Sequence, residues 1–328
     1  MRVLVTGAAG YIGSVTTEVL LGAGHEVIAL DSLELGHRAA VREDATFVQA
    51  DVRDHDAMFA VFAKHHPEAV LHFAAYTLVP ESMERPAAYF ANNVGGVCNL
   101  FDAMLAHQCY RFVLSSSCTV FGEPEHMPVT EDLPRKALNP YGASKIMIEE
   151  MTEWHAQLSG LRAAILRYFN PAGASERFGE DRAHETHLVP LALAVAQGKY
   201  PHVTVLGTDY PTPDGTCIRD YIHIVDLAEA HVSALEALNR RELLALNLGT
   251  GRGASVLEVL AATRRVTGHP IPAINGPRRP GGADSPAIWA DPTRARTLLG
   301  WQATRSLDEM IASAWAWRQH HPRGYEAD

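Results

Sequence analysis

Short apolar runs alternate with longer amphipathic stretches along most of the chain. Apolar runs of strand length lie at 2–6, 26–30, 46–49, 69–73, 111–115, 163–167 and 245–248. Apolar residues at helical spacing follow them, up to Gly22 in the first case and then near 54–65, 86–107, 142–158 and 226–239. Strands that alternate with helices predict right-handed crossovers and a doubly wound parallel sheet covered on both faces, which is the α/β fold class.

The sequence changes in character from about residue 171. Prolines and glycines cluster at 171–180, 207–215 and 268–286, and the strand candidates become shorter. A helix followed by a strand returns at 222–250. We therefore predict a first domain that consists of residues 1–170 and of a later segment, at about 222–250, where the chain returns to it. A second, smaller α/β domain is predicted over the rest of 171–328.

Composition argues against several classes of function. The chain has 328 residues, of which 47% are hydrophobic, and this supports a sizeable core. A formal net charge of -10 without a run of five like charges argues against nucleic-acid binding. No apolar segment has membrane length, and the N-terminus opens on a strand pattern instead of a signal peptide. We expect no membrane association and a cytoplasmic location.

The cysteines and histidines predict no metal site. Cys98, Cys109, Cys118 and Cys217 lack Cys-x-x-Cys spacing, so we expect reduced thiols and no structural zinc. The 17 histidines include no His-Glu-x-x-His pattern.

A glycine-rich turn joins the first strand to the first helix. Gly7, Gly10 and Gly13 are spaced so that backbone amides and a helix N-terminus are able to approach a pyrophosphate. Asp31 ends the second strand, where a carboxylate accepts hydrogen bonds from an adenosine ribose and repels a 2'-phosphate. Strand, turn, helix, strand and acid together predict a Rossmann sheet that binds NAD in preference to NADP.

Asp51 and Val52 follow the third strand candidate. They are placed to face the adenine, although Asp51 is equally suited to cap the helix at 54–65.

Tyr141 and Lys145 stand four residues apart at the start of a predicted helix, so they share one helix face. A free tyrosine has a pKa of about 10, which is too high for a base near pH 7. We expect the ammonium to lower that pKa, and a second positive group such as an oxidised nicotinamide to complete the shift. The pair alone is equally typical of a solvated helix surface.

Six further segments occur in order along the chain: His72-Phe73-Ala74-Ala75, Asn92-Asn93-Val94, Ser115-Ser116-Ser117, Arg167-Tyr168-Phe169-Asn170-Pro171, Asp209-Tyr210-Pro211-Thr212 and Arg219-Asp220-Tyr221-Ile222-His223. With the glycine turn and the Tyr141 and Lys145 pair, they resemble the extended short-chain dehydrogenase/reductase superfamily and, within it, the UDP-glucose 4-epimerase family. The resemblance runs from the first strand to the terminal Gly324-Tyr325. It implies reversible epimerisation of UDP-glucose and UDP-galactose through a transient 4-ketopyranose, with tightly held NAD as hydride acceptor and donor.

The resemblance implies three catalytic residues, Ser117, Tyr141 and Lys145. Tyr141 would take the proton of the sugar 4-hydroxyl, and Ser117 would hydrogen-bond both the sugar oxygen and the base. We choose Ser117 because the family places its serine three residues before a valine that precedes an aromatic residue. Ser115 and Ser116 are interpreted mainly as satisfying backbone groups. The implied cofactor contacts are Gly7, Gly10, Tyr11, Ile12, Gly13, Asp31, Asp51, Val52, Phe73, Ala74, Ala75, Asn92, Ser115, Tyr141, Lys145 and Tyr168. Core packing and a helix N-cap remain open alternatives for Asn92.

The substrate diphosphate needs cationic partners, and the guanidinium groups of Arg219 and Arg279 match phosphate oxygens. Either arginine is alternatively paired with a neighbouring acid, Asp220 or Asp284. The resemblance places Asn170 at the sugar diphosphate, Asp284 at the nucleotide ribose, and Leu188, Val205 and Leu206 around the uracil. The loop at 280–283 is about two residues longer than the family pattern.

Two positions depart from the family in ways that affect binding. Thr77 stands where some members carry a lysine that reaches the cofactor phosphates, so a hydroxyl must serve or the contact is lost. Ile288 stands at a gate position, where a tyrosine excludes N-acetylated sugars and a small residue admits them. We expect mainly UDP-glucose and UDP-galactose, with weaker turnover of the N-acetyl pair.

Other functions were weighed against this one. A nucleotide-sugar 4,6-dehydratase needs an acid and a base after Ser117, but Cys118 and Thr119 stand there and neither is acidic. A UDP-glucuronate decarboxylase needs a glutamate near Thr119, and the sequence has none there. The sequence therefore argues against both. Epimerases of UDP-glucuronate, UDP-N-acetylhexosamines or UDP-pentoses share the mechanism and remain the alternative. A cofactor-sensing regulator would not need Ser117, Tyr141 and Lys145 together.

The partner we expect, besides a small UDP-sugar, is a second copy of the chain. The helices at 86–107 and 142–158 are apolar enough to pair across a two-fold axis as four helices, as in the family's dimers. Ordinary crossover helices buried on the sheet are the alternative.

Overall fold

The computed structural model of the protein describes residues 1–279 and 285–325. Its strands are β1 (Arg2–Thr6), β2 (Glu26–Asp31), β3 (Thr46–Gln49), β4 (Ala69–His72), β5 (Arg111–Ser117), β6 (Arg162–Tyr168), β7 (Asn170–Ala172), β8 (Val203–Leu206), β9 (Ile218–His223), β10 (Leu243–Leu248), β11 (Gly253–Ser255), β12 (Ala273–Gly276) and β13 (Ala287–Ile288). Its helices are α1 (Tyr11–Gly22), α2 (His55–His65), α3 (Val79–Glu84), α4 (Pro86–Tyr89), α5 (Gly96–Ala106), α6 (Pro140–Ser159), α7 (Leu188–Ala196), α8 (Ile224–Ala237), α9 (Val256–Thr267), α10 (Thr293–Leu299) and α11 (Leu307–His320).

Seven strands form one parallel sheet in the order β10-β6-β5-β4-β1-β2-β3. The order runs outward in both directions from the neighbouring strands β1 and β4, as in a doubly wound Rossmann sheet. The predicted fold class is confirmed. Because ligands of such sheets bind at the carboxyl ends of the strands near this reversal, the ends of β1, β4 and β5 are where a site is expected.

The core lies on both faces of this sheet. Val3 and Val5 of β1 pack into the cluster that α8 covers, whereas Leu4 packs into the cluster that contains Phe62 of α2. This division follows from the alternation of side chains along a strand. Strands buried on both faces read as continuous apolar runs, which is why the sequence pattern located them.

The strand β10 pairs with β6 at the edge of the large sheet, so the segment after α8 rejoins it. Three other strands pair with β9, namely β7, β11 and β13, and β8 pairs with β12 in a separate ribbon. The helices α7, α9 and α11 contribute to a further hydrophobic cluster beside β9. We call the part of the chain around β9 the second lobe. The division of domains at residue 170 stays a prediction.

The helix predicted at 86–107 is interrupted. It consists of α4, a π-helical segment at Phe90–Gly95, and α5. Asn92 lies inside the π-helical segment, so the alternative that it caps a helix is wrong. A Cβ on Gly96 would lie 2.7 Å from Cγ2 of Val52, which shows how closely this helix approaches the end of β3. π-helical segments are rare and occur frequently at functional sites.

No helix within residues 1–279 and 285–325 combines the length and the apolar character needed to cross a membrane.

Candidate active site

The turn after β1 brings backbone from three elements together. Gly7 has φ of +71°, and a Cβ there would lie 2.7 Å from the amide nitrogen of Ala74 and 2.9 Å from the carbonyl carbon of Phe73. A Cβ on Gly13 would lie 2.1 Å from the carbonyl oxygen of Gly7. Gly10 caps α1 without a side chain, which leaves amides of the first turn, including those near Tyr11 and Ile12, for an anion. The turn therefore fits a pyrophosphate.

Asp31 faces this turn from the end of β2. Its carboxylate accepts hydrogen bonds from the amides of Ala9 at 2.9 Å and Leu33 at 2.8 Å. Burial raises the pKa of Asp31, and the two amide hydrogen bonds lower it. Two donors thus hold the carboxylate beside the glycine turn, and its contact with a ribose stays a prediction.

Asp51 does not cap α2. Asp54 does so by accepting a hydrogen bond from the amide of Ala57 at 3.0 Å, whereas Asp51 pairs with Arg53. The alternative that Asp51 is the cap is therefore wrong. Val52 is buried against Gly96. Asp51 and Val52 remain candidates for the adenine end of the site.

Phe73, Ala74 and Ala75 directly follow β4 and are partly buried. The Phe73 ring lies 4.9 Å from the ring of His231, centroid to centroid, which in turn lies 5.7 Å from the ring of Tyr168. Aromatic rings from the ends of β4 and β6 are thus linked through α8. Tyr168 also hydrogen-bonds the hydroxyl of Ser115, and burial raises its pKa.

Asn92 and Asn93 connect the π-helical segment to the predicted site. The side-chain amide of Asn92 donates to Oδ1 of Asn93 at 3.0 Å, and the same Oδ1 accepts from the amide of Tyr76 at 2.8 Å. Asn93 then donates to Oγ of Ser144 on α6 at 3.1 Å. This network fixes the first turns of α6 against the loop that follows β4.

The helix α6 presents Tyr141 in its first turn. Asn139 caps the helix by accepting from the amide of Gly142 at 2.9 Å, and Pro140 occupies the first helical position. Ser117 ends β5, and its Oγ accepts from the amide of Thr119 at 3.2 Å. The Ser117 hydroxyl lowers the pKa of Tyr141, so it lies near the phenol. The structure therefore brings the predicted serine and tyrosine to the same place.

The electrostatics of Tyr141 differ from the prediction. Burial raises the pKa of Tyr141 to about 12, while the Ser117 hydroxyl and the charge of Arg182 lower it. Burial likewise lowers the pKa of Lys145 to about 8, and Glu149 opposes that change. Lys145 is not among the groups that shift the Tyr141 pKa, so the protein's own groups do not produce the lowered pKa that we expected from the lysine. A phenolate here requires positive charge from outside the chain.

Ser115 and Ser116 do not serve mainly to satisfy backbone groups. The Ser115 hydroxyl contacts Tyr168, and Ser116 donates to Oε1 of Glu149 at 2.5 Å. Glu149 is fully buried and accepts from Arg167 at 2.9 and 2.7 Å and from Arg135 at 3.1 Å. The interpretation of these two serines is corrected, because their partners lie on α6 and β6.

Arg219 and Asp220 lie on opposite faces of β9, as successive strand residues do. The Asp220 carboxylate accepts from Oγ1 of Thr250 at 2.6 Å and from the amide of Ala290 at 3.1 Å. A structural pairing between Arg219 and Asp220 is therefore wrong. The charges of Arg219 and Arg279 both lower the pKa of Tyr221, which burial raises to about 12. The charges of both arginines thus act on the Tyr221 phenol.

Ile288 and Asn170 flank the same region. Ile288 pairs in register with Arg219, and it is buried with Cys118 and Phe169. Asn170 begins β7 and pairs with Tyr221. The charge of Arg219 lowers the pKa of Cys118, the residue next to Ser117. The proposed gate and diphosphate residues are therefore close to the predicted catalytic serine.

The residues predicted around the uracil are divided. Val205 is buried in a cluster with Leu260 and Ile271, and Leu188 at the start of α7 is partly buried against the same cluster. Leu206, on the other face of β8, is partly exposed. The side chain of Val205 therefore faces the core, and the partly exposed Leu188 and Leu206 are left as the candidate wall. Asp284 and the long loop at 280–283 lie outside the described residues.

Sequence reasoning missed a charged cluster between β7 and α7. Glu180 is buried, and its Oε1 lies 2.8 Å from Nε of Arg182 and 2.6 Å from Nδ1 of His187. Oxygen and nitrogen atoms of Glu180, Glu185 and His187 lie within 4.8 Å of one another, a spacing that a metal ion also accepts. Arg182 already supplies a cation to Glu180, so we interpret the cluster as an ion network. No local motif marks these residues in the sequence.

Comparisons with known proteins agree with this arrangement. Residues 3–249 match the model of the NAD dependent epimerase/dehydratase family. The chain is 46% identical to the UDP-glucose 4-epimerase of Halalkalibacterium halodurans, over 100% of this chain and 98% of the relative. A crystal structure of UDP-glucose 4-epimerase from Stenotrophomonas maltophila with bound NAD and formylated UDP-arabinopyranose has a TM-score of 0.94 and 42% identity, over 98% of this chain and 99% of that one. The enzyme from Bifidobacterium longum in complex with NAD+ and UDP has a TM-score of 0.94 and 40% identity, over 99% and 100% of the two chains.

Proposed function

Because the chain belongs to the NAD-dependent epimerase/dehydratase family and, within it, to the UDP-glucose 4-epimerases, we propose that it interconverts UDP-glucose and UDP-galactose with bound NAD. The observation that carries this proposal is the placement of Tyr141 and Lys145 at the carboxyl end of β5: the Lys145 ammonium lies 5.8 Å from the Tyr141 ring centroid and donates to the carbonyl oxygen of Ser115, and Ser117 ends the same strand. Lys145 lies on the next turn of α6, and the glycine turn follows β1 along the same edge.

The residues at this edge fit NAD. The tight packing of Gly7 against Ala74 allows backbone amides to approach a pyrophosphate, and Asp31 offers a carboxylate to a ribose diol. Lys145 donates to the carbonyl oxygen of Ser115 at 2.8 Å, which holds its ammonium between the carboxyl end of β5 and the start of α6. When bound, NAD supplies the oxidant and then the reductant for the sugar C4 carbon.

Tyr141 moves the proton in this proposal. The phenol oxygen would accept the proton of the sugar 4-hydroxyl and later return it, and the Ser117 hydroxyl lies near enough to the phenol to hydrogen-bond it during the reaction. A pKa of about 12 keeps the phenol protonated when only protein groups surround it. A positively charged nicotinamide would favour the phenolate, so proton removal is linked to the oxidised cofactor.

The sugar nucleotide is proposed to bind along β9. Arg219 and Arg279 face Tyr221 and are suited to the diphosphate, with Asn170 beside them on β7. Leu188 and Leu206 are suited to the uracil. The site would thus hold the nucleotide in the second lobe and present the sugar to Ser117 and Tyr141.

Epimerisation of another UDP-sugar is the second candidate. Ile288, packed against Cys118 and Phe169, is smaller than the tyrosine that excludes N-acetyl groups. The Stenotrophomonas relative binds a modified UDP-pentose, which supports tolerance at the sugar in this family. A panel of UDP-hexoses, UDP-N-acetylhexosamines, UDP-uronic acids and UDP-pentoses, compared by kcat/KM, separates these possibilities.

The main test needs no added cofactor. Purified protein is expected to carry nicotinamide absorbance and to convert UDP-galactose into UDP-glucose, with the products separated by chromatography. Protein that holds NAD but converts no UDP-sugar of the panel would overturn the proposed activity and favour a cofactor-sensing role.

We also propose that the protein is a homodimer. Met147, Trp154 and Leu158 on one side of α6 have exposed fractions of 44%, 60% and 78%, while Ile148 and Thr152 on its other side are buried. An exposed apolar stripe on a helix is typical of an interface. Trp154→Lys is expected to shift the mass measured by light scattering from dimer to monomer, and Leu257→Lys, at a partly exposed leucine of α9, is the control. A monomeric wild-type protein would contradict the dimer.

The cytoplasmic location and the division at residue 170 are proposals as well. All four cysteines are free, and Cys98 is exposed, which supports a reducing compartment.

A further inference from the structure

Arg182 lies where the second lobe meets the carboxyl edge of the large sheet. Its Nη1 donates to Oγ1 of Thr77 at 3.4 Å, across 105 residues of sequence. Thr77 is five residues beyond His72, the end of β4, in the loop that begins with the backbone packed on Gly7. The guanidinium therefore reaches from the second lobe to the loop beside the glycine turn.

A second contact places the same segment over the start of α1. The hydroxyl group of Tyr11, the first residue of α1, donates a hydrogen bond to the carbonyl oxygen of Gly173 at 2.7 Å. The charge of Arg182 also lowers the pKa of Tyr11, which burial raises. Because the amides of this helix start form the pyrophosphate cradle, the arginine charge acts on the place where a diphosphate would lie.

The Glu180 carboxylate holds Arg182 in this position. It accepts from Nε of Arg182 at 2.8 Å, and although burial raises its pKa, the charges and hydrogen bonds of His187 and Arg182 lower that pKa below its ordinary value. Within the described part of the chain, Nη2 of Arg182 has no hydrogen-bond partner, and 27% of the side chain is exposed. Two of the three guanidinium nitrogens are thus bound by the protein, and Nη2 is left for a ligand.

The sequence left one question at this place. The resemblance places Thr77 where some members of the family carry a lysine for the cofactor phosphates, and a hydroxyl supplies no charge. Arg182 contacts this same threonine and brings a cation to it from the second lobe. Arginine is well suited to the task, because its planar group gives two parallel donors to phosphate oxygens.

We propose that Arg182, held by Glu180, binds the diphosphate of NAD from the second lobe and takes the place of a lysine at position 77. This inference rests on the proposed function only in assuming that NAD is the resident cofactor. It adds a residue from the second lobe to the cofactor site, so that one side chain joins both parts of the molecule around the bound nucleotide.

The test measures retention of NAD by purified protein after long dialysis, with the released nucleotide quantified after denaturation. Arg182→Gln is expected to raise the dissociation constant of NAD about 10- to 100-fold, the loss typical of one charge-assisted hydrogen-bond pair. Arg177→Gln is the matched control, because Arg177 lies in the same segment with 63% of its side chain exposed and pairs only loosely with Glu18 at 3.7 Å. Retention in this control is expected to equal that of the wild type.

Two more variants separate phosphate binding from a structural role. Thr77→Lys in the Arg182→Gln background is expected to restore retention, because it returns a cation to the diphosphate from the other side. Thr77→Ala alone is expected to change retention less than 3-fold. If Thr77→Ala releases NAD as strongly as Arg182→Gln does, Arg182 is a tie between lobes and the proposal is overturned.

The outcomes for the two proposals are distinguishable. Unchanged retention in Arg182→Gln, or failure of Thr77→Lys to restore it, overturns the role of Arg182 whatever the catalytic activity. If all the expected differences in NAD retention are observed in a protein that converts no UDP-sugar, the role of Arg182 is supported and the epimerase activity is refuted. Wild-type protein that binds no NAD overturns both.

Discussion

The ammonium nitrogen of Lys145 lies 5.8 Å from the ring centroid of Tyr141, and Tyr141 precedes Lys145 by one turn of α6. It donates a hydrogen bond to the carbonyl oxygen of Ser115 at 2.8 Å, so the backbone of β5 fixes the lysine beside the phenol. Burial nevertheless raises the pKa of Tyr141 to about 12 and lowers that of Lys145 to about 8. The site therefore depends on charge that the bound cofactor brings.

Replacement of Tyr141 tests its proposed role as the base. Tyr141→Phe removes the proton acceptor while it keeps the ring, so kcat is expected to fall about 100- to 10,000-fold. NAD in the purified variant is expected to remain at the wild-type level, because the ring and Lys145 are unchanged. Tyr110→Phe, at a residue that is 38% exposed, serves as the control. Wild-type kcat in Tyr141→Phe would exclude this tyrosine as the base.

Ile288 is expected to control the size of the accepted sugar. It is buried beside Cys118 and Phe169, so a larger side chain there must take space from the pocket. Ile288→Tyr is expected to lower kcat/KM for UDP-N-acetylglucosamine at least about 10-fold relative to UDP-glucose. Ile288→Val, which keeps the shape, is the control. Equal losses for both sugars would show that the residue supports packing and not selection.

Glu149 is expected to be the most sensitive charged residue for stability. It is fully buried and balances Arg167, which is also buried, together with Arg135. Glu149→Gln leaves a buried guanidinium uncompensated and is expected to lower the free energy of unfolding by about 3–5 kcal/mol. Glu153→Gln changes a carboxylate on the same helix that is 31% exposed, with an expected cost below about 1 kcal/mol. Urea denaturation measures both, and similar costs would contradict the prediction.

His231 is expected to make the protein sensitive to acid. Burial lowers its pKa to about 4 from 6.5. Since the folded state binds the proton less readily, this contribution to stability is present above pH 6.5 and is lost as the pH falls towards 4.

His231→Phe removes this linkage. Between pH 7 and pH 5, the variant is expected to lose about 2 kcal/mol less of its free energy of unfolding than the wild type does. His126→Gln, at an exposed histidine, controls for general effects of charge. Parallel stability profiles for His231→Phe and the wild type would rule out His231 as the group responsible.

The local sequence predicts most strands of the seven-stranded parallel sheet. The strands of the large sheet are buried on both faces, so each appears as an apolar run, and Val3, Leu4 and Val5 are all buried. The strands of the second lobe are harder to predict from the sequence, because they have two to six residues, and β13 has only Ala287 and Ile288. A run of that length carries no measurable period.

Chemical identity and spacing were enough to propose the glycine turn and the pair of Tyr141 and Lys145, because backbone geometry links residues a few positions apart, whereas Ser117 was chosen from the family resemblance. Tertiary packing alone decided that Ser116 binds Glu149 and that Arg182 reaches Thr77 across 105 residues. It also decided the direction of the Tyr141 pKa shift. Burial, and the distance between charges far apart in the sequence, arise only when the elements pack together, so no local pattern contains them.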